Sequence, residues 1–532
     1  MEETSGGMER RVLSIRLENG KTEEDGVYGI GESFRPAGTV TFSDGPADIA
    51  ALPAGSFSVT GYDSSRSGLC SVRVTAGEVS SDMLSIEIAG LAKRLNRAGT
   101  RKLVLWANEE VETVELSGAH ITLASSGNGP EGRRSLELTK SGAMFALYNN
   151  ASLTLDNITL RGHGGNNSPL VYVESSALVL DGSAISGNGG GGVHVKNGTF
   201  TMNGGEISGN SLNLKGEISR DSNVNRGGGV YVENGTFTMN GGKIFGNAVN
   251  ADTEISGYFT NAGGVYVTDG TFTMNGGEIF NNAAYYVENP FQNRSGVHIG
   301  NGVITMNSGR IFNNSGSGVL LFGETSFTMN GGEISGNDGS GVSAYEGGLF
   351  TMEDGEISGH SDYHGVYVRD GTFTMEGGKI SGNGGTYGGG VNAGLRSVFT
   401  MNGGEISGNF TEEEGGGVYA QSGSVFTMNG GTISGNSAGE KGGGVYIYTV
   451  YDSAFSKTGG TIYGYDPADS ANPLWNKCVD QDGVIQNNSG HTVYIGSGSE
   501  KRRENSSGPE DALGAIYDSK TETWTYTGNW DG

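Results

Sequence analysis

Carboxylates and cations recur at one position of this chain. Before each repeated Ile the residue runs Glu206, Lys243, Glu278, Arg310, Glu333, Glu356, Lys379, Glu405 and Thr432. Paired carboxylates, or a carboxylate beside a cation, are the groups that cleave glycosidic bonds by general acid–base chemistry. Here acid and base are interleaved, and charge pairing between stacked neighbours accounts for the order without catalysis. Metal chemistry is equally sparse. Asp480-Gln481-Asp482-Gly483 begins like a calcium loop but lacks the oxygen ligands that should follow, and Glu412-Glu413-Glu414 reads as a solvated turn. None of the seven histidines has a partner at ligand spacing, so no metal and no other cofactor is implied.

Two surface files remain. Tyr172, Tyr231, Tyr266, Tyr367, Tyr419 and Tyr446, with His194 and His298 interspersed, sit at the centre of the short valine strands. Period-two alternation sends them away from the valines, giving an expected outward aromatic stripe. Tyr231, Tyr266, His298, Tyr367, Tyr419 and Tyr446 are the candidate ligand-binding residues, although strand propensity alone also favours Tyr. Insertions at residues 211–226, 248–262 and 283–294 enter at one shared corner, where they are expected to overhang Tyr231 and Tyr266. The second file is the outward Thr before Met: Thr201, Thr238, Thr273, Thr305, Thr328, Thr351, Thr374, Thr400 and Thr427. Thr-x-Thr arrays are the pattern of ice-binding proteins. The position two residues earlier drifts through Val303, Ser326, Leu349, Val398 and Val425, so strand propensity is the reading adopted for this file.

The elements that must position these files follow from one phrase, Gly-Thr-Phe-Thr-Met-Asn-Gly-Gly-Glu-Ile-Ser-Gly-Asn. It recurs every 23 residues from Met306 through Met329 and Met352 to Met375. A period that short, without a helical apolar pattern, implies one coil of a solenoid. Residues 227–247 hold three short segments, Val230-Tyr231-Val232, Thr236-Phe237-Thr238-Met239 and Lys243-Ile244-Phe245, between turn residues. Val230, Val232, Phe237, Met239 and Ile244 then face one side. No coil closes a core alone, so coils must stack about 4.8 Å apart, like residue over like. The Asn ending each phrase, from Asn210 to Asn436, fits either an inward amide ladder or a solvent-facing turn, and His360 replaces it once. Asn240-Gly241-Gly242 suits a turn with positive φ.

The signatures Gly-Gly-Gly-Val and Phe-Thr-Met-Asn resemble the Gly-Gly-Ala-Ile and Phe-x-x-Asn repeats of polymorphic outer-membrane adhesins, over roughly residues 150–500. The resemblance implies an all-β right-handed parallel β-helix. Those adhesins end in a membrane barrel, whereas this chain stops at Trp530-Asp531-Gly532 after a polar tail, so self-translocation is not implied. Tyr28, Gly31-Glu32, Phe42-Ser43-Asp44-Gly45, Gly61-Tyr62-Asp63 and Gly68 resemble bacterial Ig-like modules, which act as spacers or stalks. The expected organisation is an Ig-like β-sandwich over 1–89, a β-helix over 90–499 and a cap or tail over 500–532. Leu91, Ala92, Leu95 and Ala98 form a short helix expected to cover the first coil. Parallel β-helices include polysaccharide lyases and hydrolases. Arg161-Gly162-His163-Gly164 contains the Gly-His-Gly of polygalacturonases, but their Asn-Thr-Asp and paired Asp motifs are missing.

The formal net charge of −26 argues against nucleic acid and anionic membrane, and favours a soluble monomer. No run of eighteen apolar residues exists, so direct membrane insertion is not expected, and the start lacks the regions of a signal peptide. Cys70 and Cys478 are expected as free, buried thiols. These readings point to a non-enzymatic bacterial surface or secreted adhesin-like protein that binds polysaccharide or host surface protein. A β-helix lyase or hydrolase, and a purely structural stalk, are the alternatives.

Overall fold

The computed structural model describes residues 12–530 except 19–27, 43–44, 53–56, 66, 77, 96–100, 215–226, 252–260, 287–293, 449–452, 481, 487–489, 497–500, 510 and 519–522. From Arg101 onward, short strands pair in parallel with their counterparts one coil away and build three sheets of 14, 15 and 16 strands, in which only the last members, Lys501–Arg503, Leu513–Asp518 and Thr523–Gly528, pair antiparallel. In one coil, Val230–Glu233 lies in the 15-stranded valine sheet, Thr236–Met239 in the 16-stranded threonine sheet and Lys243–Phe245 in the 14-stranded isoleucine sheet. The result is an all-β parallel β-helix.

Register follows the repeat. Val193 pairs with Val230 and Val230 with Val265; Phe200 with Phe237 and Phe237 with Phe272; Ile207 with Ile244 and Ile244 with Ile279. Val230, Val232, Phe237, Met239 and Ile244 are fully buried. Stacked Phe rings lie 4.7 to 4.9 Å apart, their planes within 7° from Phe200 to Phe272. Burying each such side chain contributes roughly 1.5–3 kcal/mol. At the turn after Met, the positive φ falls on the second glycine and not on Asn. Gly242 has φ +90°, and a Cβ there would lie 2.7 Å from the Gly205 carbonyl oxygen.

The phrase-ending Asn points inward. Asn210 Nδ2 donates to Asn247 Oδ1 at 3.0 Å, Asn247 to Asn282 and Asn282 to Asn314 at the same distance, and the ladder resumes from Asn383 through Asn409 and Asn436 to Asn476. Of the two readings open in the sequence, the amide ladder is the one that forms. Each Asn also bonds backbone groups, so the buried corner keeps its polar atoms paired. His360 keeps the ladder continuous, with Asn337 3.2 Å from Nε2 and Asn383 2.8 Å from Nδ1.

The ends are built differently. Residues 12–89 form a three-stranded antiparallel sheet (Val12–Glu18, Ala37–Phe42, Gly45–Asp48) and a five-stranded one that includes Ser58–Thr60, Gly68–Ala76 and Leu84–Ala89. The described part of the helix is Leu91–Leu95, and Ala98 lies outside the described residues. Leu91 and Leu95 join the core, but Ala92 is exposed. Arg94 is buried instead, its guanidinium donating to the Val104 carbonyl at 3.1 Å. At the far end Leu513–Asp518 pairs antiparallel with Ala454–Lys457, and Thr523–Gly528 with Leu513–Asp518. Lys457 occupies the Met register, paired with Met428, and is fully buried. Its ammonium donates to the carbonyls of Gly508 and Asp511 at 2.7 and 2.9 Å, and burial lowers its pKa. Both cysteines are free; Cys478 is buried, whereas Cys70 is only half-buried, beside the edge turn at Asp63.

Burial lowers the His360 pKa to about 4, against about 6.5 in an unfolded chain. Its neutral form stabilises the ladder fully above the unfolded value, and that stability is lost as pH falls toward 4, by roughly 2–3 kcal/mol. His360→Asn should therefore flatten the fall in melting temperature between pH 7 and pH 4.5. Parallel pH profiles for parent and variant would show that His360 carries none of the acid sensitivity.

Candidate functional site

The valine sheet places the predicted stripe in one register: Tyr172, His194, Tyr231, Tyr266 and His298 are successive partners. Their rings form a continuous ladder, 4.5 Å between His194 and Tyr231, 5.7 Å between Tyr231 and Tyr266, and 4.6 Å between Tyr266 and His298. Leu320 and Ser343 then interrupt it, Tyr367 follows, Asn392 interrupts again, and Tyr419, Tyr446 and Tyr494 complete the file.

Four of the six candidate residues do not face solvent. Tyr266 is 3% exposed, His298 1%, Tyr419 6% and Tyr446 4%; Tyr231 and Tyr367 are half-buried. In the later coils the cover can be identified. The residue preceding each glycine corner folds over the residue that holds the file position in the next coil. His364 Nε2 lies 3.4 Å from the Asn392 amide, the Tyr387 ring 5.0 Å from Tyr419, and Lys441 Nζ 4.8 Å over Tyr494. Glu414 hydrogen-bonds the Tyr446 hydroxyl. Tyr387, Glu414 and Lys441 are themselves bridged in parallel, so they form a fourth file roofing the third. Positive-φ glycines make this fold-back. At Gly442, φ +65°, a Cβ would lie 2.7 Å from the Tyr446 Cβ.

Electrostatics follow from that cover. Burial raises the Tyr419 and Tyr446 hydroxyl pKa values well above the usual range, and the Glu414 carboxylate beside them adds to it. Burial likewise raises Glu414, which is half-buried and not the solvated turn residue expected. His298 drops to about 3 through burial and stays neutral, with Nδ1 unpartnered. The three corner insertions start as a small parallel sheet, Ser211–Leu214, Ala248–Ala251 and Ala283–Tyr286, but their tips lie outside the described residues.

The acid–base file resolves into ion pairs between coils: Lys243–Glu278 at 3.3 Å, Arg310–Glu333 at 3.1 Å and Lys379–Glu405 at 3.4 Å. Exposed pairs of this kind contribute about 0–1 kcal/mol each. The Asp480 carboxylate accepts from the Asp482 and Val484 amides and the Gln486 side chain, which closes its own turn. Among the described residues no group of three or more His, Cys, Asp or Glu could hold a metal.

What the sequence reading missed lies at the corner between the valine and threonine sheets. Three adjoining depressions of about 510, 520 and 470 Å³ run along it, sharing Asn197-Gly198-Thr199 and Asn301-Gly302-Val303. They span the coils from His120 to Leu349, nine strands of the threonine sheet or roughly 40 Å of axis. Asn197, Asn234, Asp269 and Asn301 hold φ of +51° there, a conformation that Asn and Asp tolerate. Asn234 Nδ2 donates to Asn197 Oδ1 at 2.7 Å. The floor is backbone: a Cβ on Gly235 would lie 2.8 Å from the Gly198 carbonyl oxygen. The repeated Asn/Asp-Gly before Thr-Phe-Thr-Met was the available signal.

Because Tyr446 is packed under Glu414 and between Tyr419 and Tyr494, Tyr446→Ala should cost about 3 kcal/mol or more. Tyr231→Ala, at a half-buried position, should cost less than half of that. Urea-unfolding midpoints for the two variants give the comparison, and similar losses would contradict the roofed arrangement.

A family model described as right handed beta helix region matches residues 286–453. No curated protein and no solved structure matches the chain. With its three long parallel sheets, the protein is a right-handed parallel β-helix solenoid.

Proposed function

We propose that this protein is a non-enzymatic, adhesin-like binding protein of a bacterial surface or of the secreted fraction, holding glycan or a host surface protein along the corner trough. The observation that carries the reading is the trough itself: an open channel of mixed polar and apolar lining, running across nine coils, whose walls are turn side chains and whose floor is backbone. Such a channel accommodates an extended ligand without rearrangement of the scaffold. The repeat resemblance to outer-membrane adhesins and the resemblance of residues 9–89 to Ig-like spacer modules support placement outside the cell. Half-buried Tyr231 and Tyr367 remain candidates for peripheral contact, whereas Tyr266, His298, Tyr419 and Tyr446 serve the fold.

Thr236 and Thr271 line the trough on the outer face of the sheet, so Trp at both positions should fill it while keeping strand propensity. Binding of parent and Thr236→Trp/Thr271→Trp protein to a panel of immobilised polysaccharides and host cell-surface proteins is the test, with circular dichroism as the folding check. The expected result is at least tenfold weaker capture by a folded variant. Equal capture, or new reducing ends or unsaturated products from a polysaccharide treated with the parent, would overturn the proposal.

A further inference from the structure

The threonine sheet carries an outward file that behaves unlike its neighbours. Thr201, Thr238, Thr273, Thr305 and Thr328 are successive partners, and the file continues without substitution to Thr427. The parallel file two residues earlier, on the same face, accepts Val303, Leu349, Val398 and Val425. Val and Thr have nearly the same shape and strand propensity. Propensity alone would therefore mix them in both files, and over the nine coils from Thr201 to Thr427 it mixes them in only one, with Val179 holding the same register one coil before Thr201. The hydroxyl is what the uniform file keeps.

Those hydroxyls have no task inside the protein. No hydrogen bond among the described residues uses the side chain of Thr201, Thr238, Thr273, Thr305 or Thr328, and each of these residues is half-buried with its outer side open. On one flank lies the trough. On the other, Asn240, Asn275, Asn307 and Asn330 form an exposed amide ladder, each donating one coil back at 2.7 to 2.9 Å. The face is thus a rigid plane of hydroxyl and amide groups repeating with the coil, about 4.8 Å along the axis.

We infer that this face and the adjoining trough bind a neutral, extended polysaccharide laid parallel to the solenoid axis, an assignment that rests on the binding role proposed above. Sugar hydroxyls both donate and accept, as Thr hydroxyls and Asn amides do, so each coil offers complementary partners at the same height. The outward positions here carry no Lys or Arg from Thr199 to Asn330, and Asp269 and Glu324 sit beside the trough, which excludes polyanions. A protein partner would call for a desolvated apolar centre with aromatic or Arg anchors, and the large apolar groups exposed on this face are scattered Val303, Leu349 and Val398. Because the donors and acceptors are fixed by sheet backbone, little ordering entropy opposes binding.

The test uses the full chain and the variant Thr238→Val/Thr273→Val/Thr305→Val, which deletes three hydroxyls and keeps three β-branched shapes. Cellulose, chitin, xylan and mannan serve as neutral probes, with pectate and alginate as polyanions, in pull-down and affinity electrophoresis. The expected result is retention of the parent on at least one neutral polymer, at least tenfold weaker retention of the variant at unchanged melting temperature, and no retention on either polyanion. Equal retention of the variant overturns the assignment, as does preference for a polyanion. Parent protein that captures only host proteins, or only shows thermal hysteresis in ice, overturns the glycan assignment. In the first of those cases the trough-filling variant still reports separately on the binding role.

Discussion

In-register parallel pairing between coils is the constraint on which everything else rests. Each strand hydrogen-bonds its own equivalent one coil away, so any side chain meets its copy at about 4.8 Å. For apolar groups this is favourable without further design: Phe stacks on Phe and Ile on Ile, and shape matching is automatic. For polar groups it is a strict filter, because a buried group must be able to bond itself. Asn can, since its amide carries donors and an acceptor, and it therefore owns the inner corner. A carboxylate cannot, and on the isoleucine sheet Lys243, Arg310 and Lys379 separate most of the acids, Glu333 over Glu356 being the one direct acid pair in the repeated stretch from Glu206 to Glu405.

The same rule explains why the tyrosine file could not stay on the surface. Stacked phenol rings present edges and bury their faces, leaving an apolar flank that water wets poorly. Glycine corners with positive φ let the residue before them swing back over that flank, and different side chains achieve the cover by different contacts. Tyr387 uses ring against ring, Lys441 a cation over a ring, and Glu414 a hydrogen bond to a hydroxyl. A surface that looks ligand-ready in one dimension becomes a second, smaller core in three.

How much of this was readable beforehand depends on whether the information lay within one repeat or between repeats. Strand identity, inward residues such as Val230, Phe237 and Ile244, and the interleaved charges are properties of a single window, and the window states them. The roof is a property of two windows: Glu414 precedes its own Gly-Gly-Gly but covers Tyr446 in the next coil, so reading one coil assigns it to solvent. The trough is a property of nine. No Asn-Gly pair looks like a binding element until its copies are aligned along an axis. Arg94 was missed for another reason, since a buried guanidinium that donates to a backbone carbonyl has no apolar pattern to announce it.

Lys457 shows how such a molecule sets its own length. A stack of identical apolar windows contains no internal instruction to end, and any exposed terminal coil is a template for one more. Placing an ammonium where the column of methionine side chains should continue changes the chemistry of that surface. A further coil laid there would bring a thioether against a buried cation whose proton donors are committed to the capping segment's carbonyls. The valine sheet still gains one more parallel strand, Val493–Gly496, but in the methionine column the next strand is the antiparallel cap, which sets Leu513 beside Lys457. The column of methionines therefore has a defined finish, a cation where the thioether would stand and an antiparallel strand laid over it.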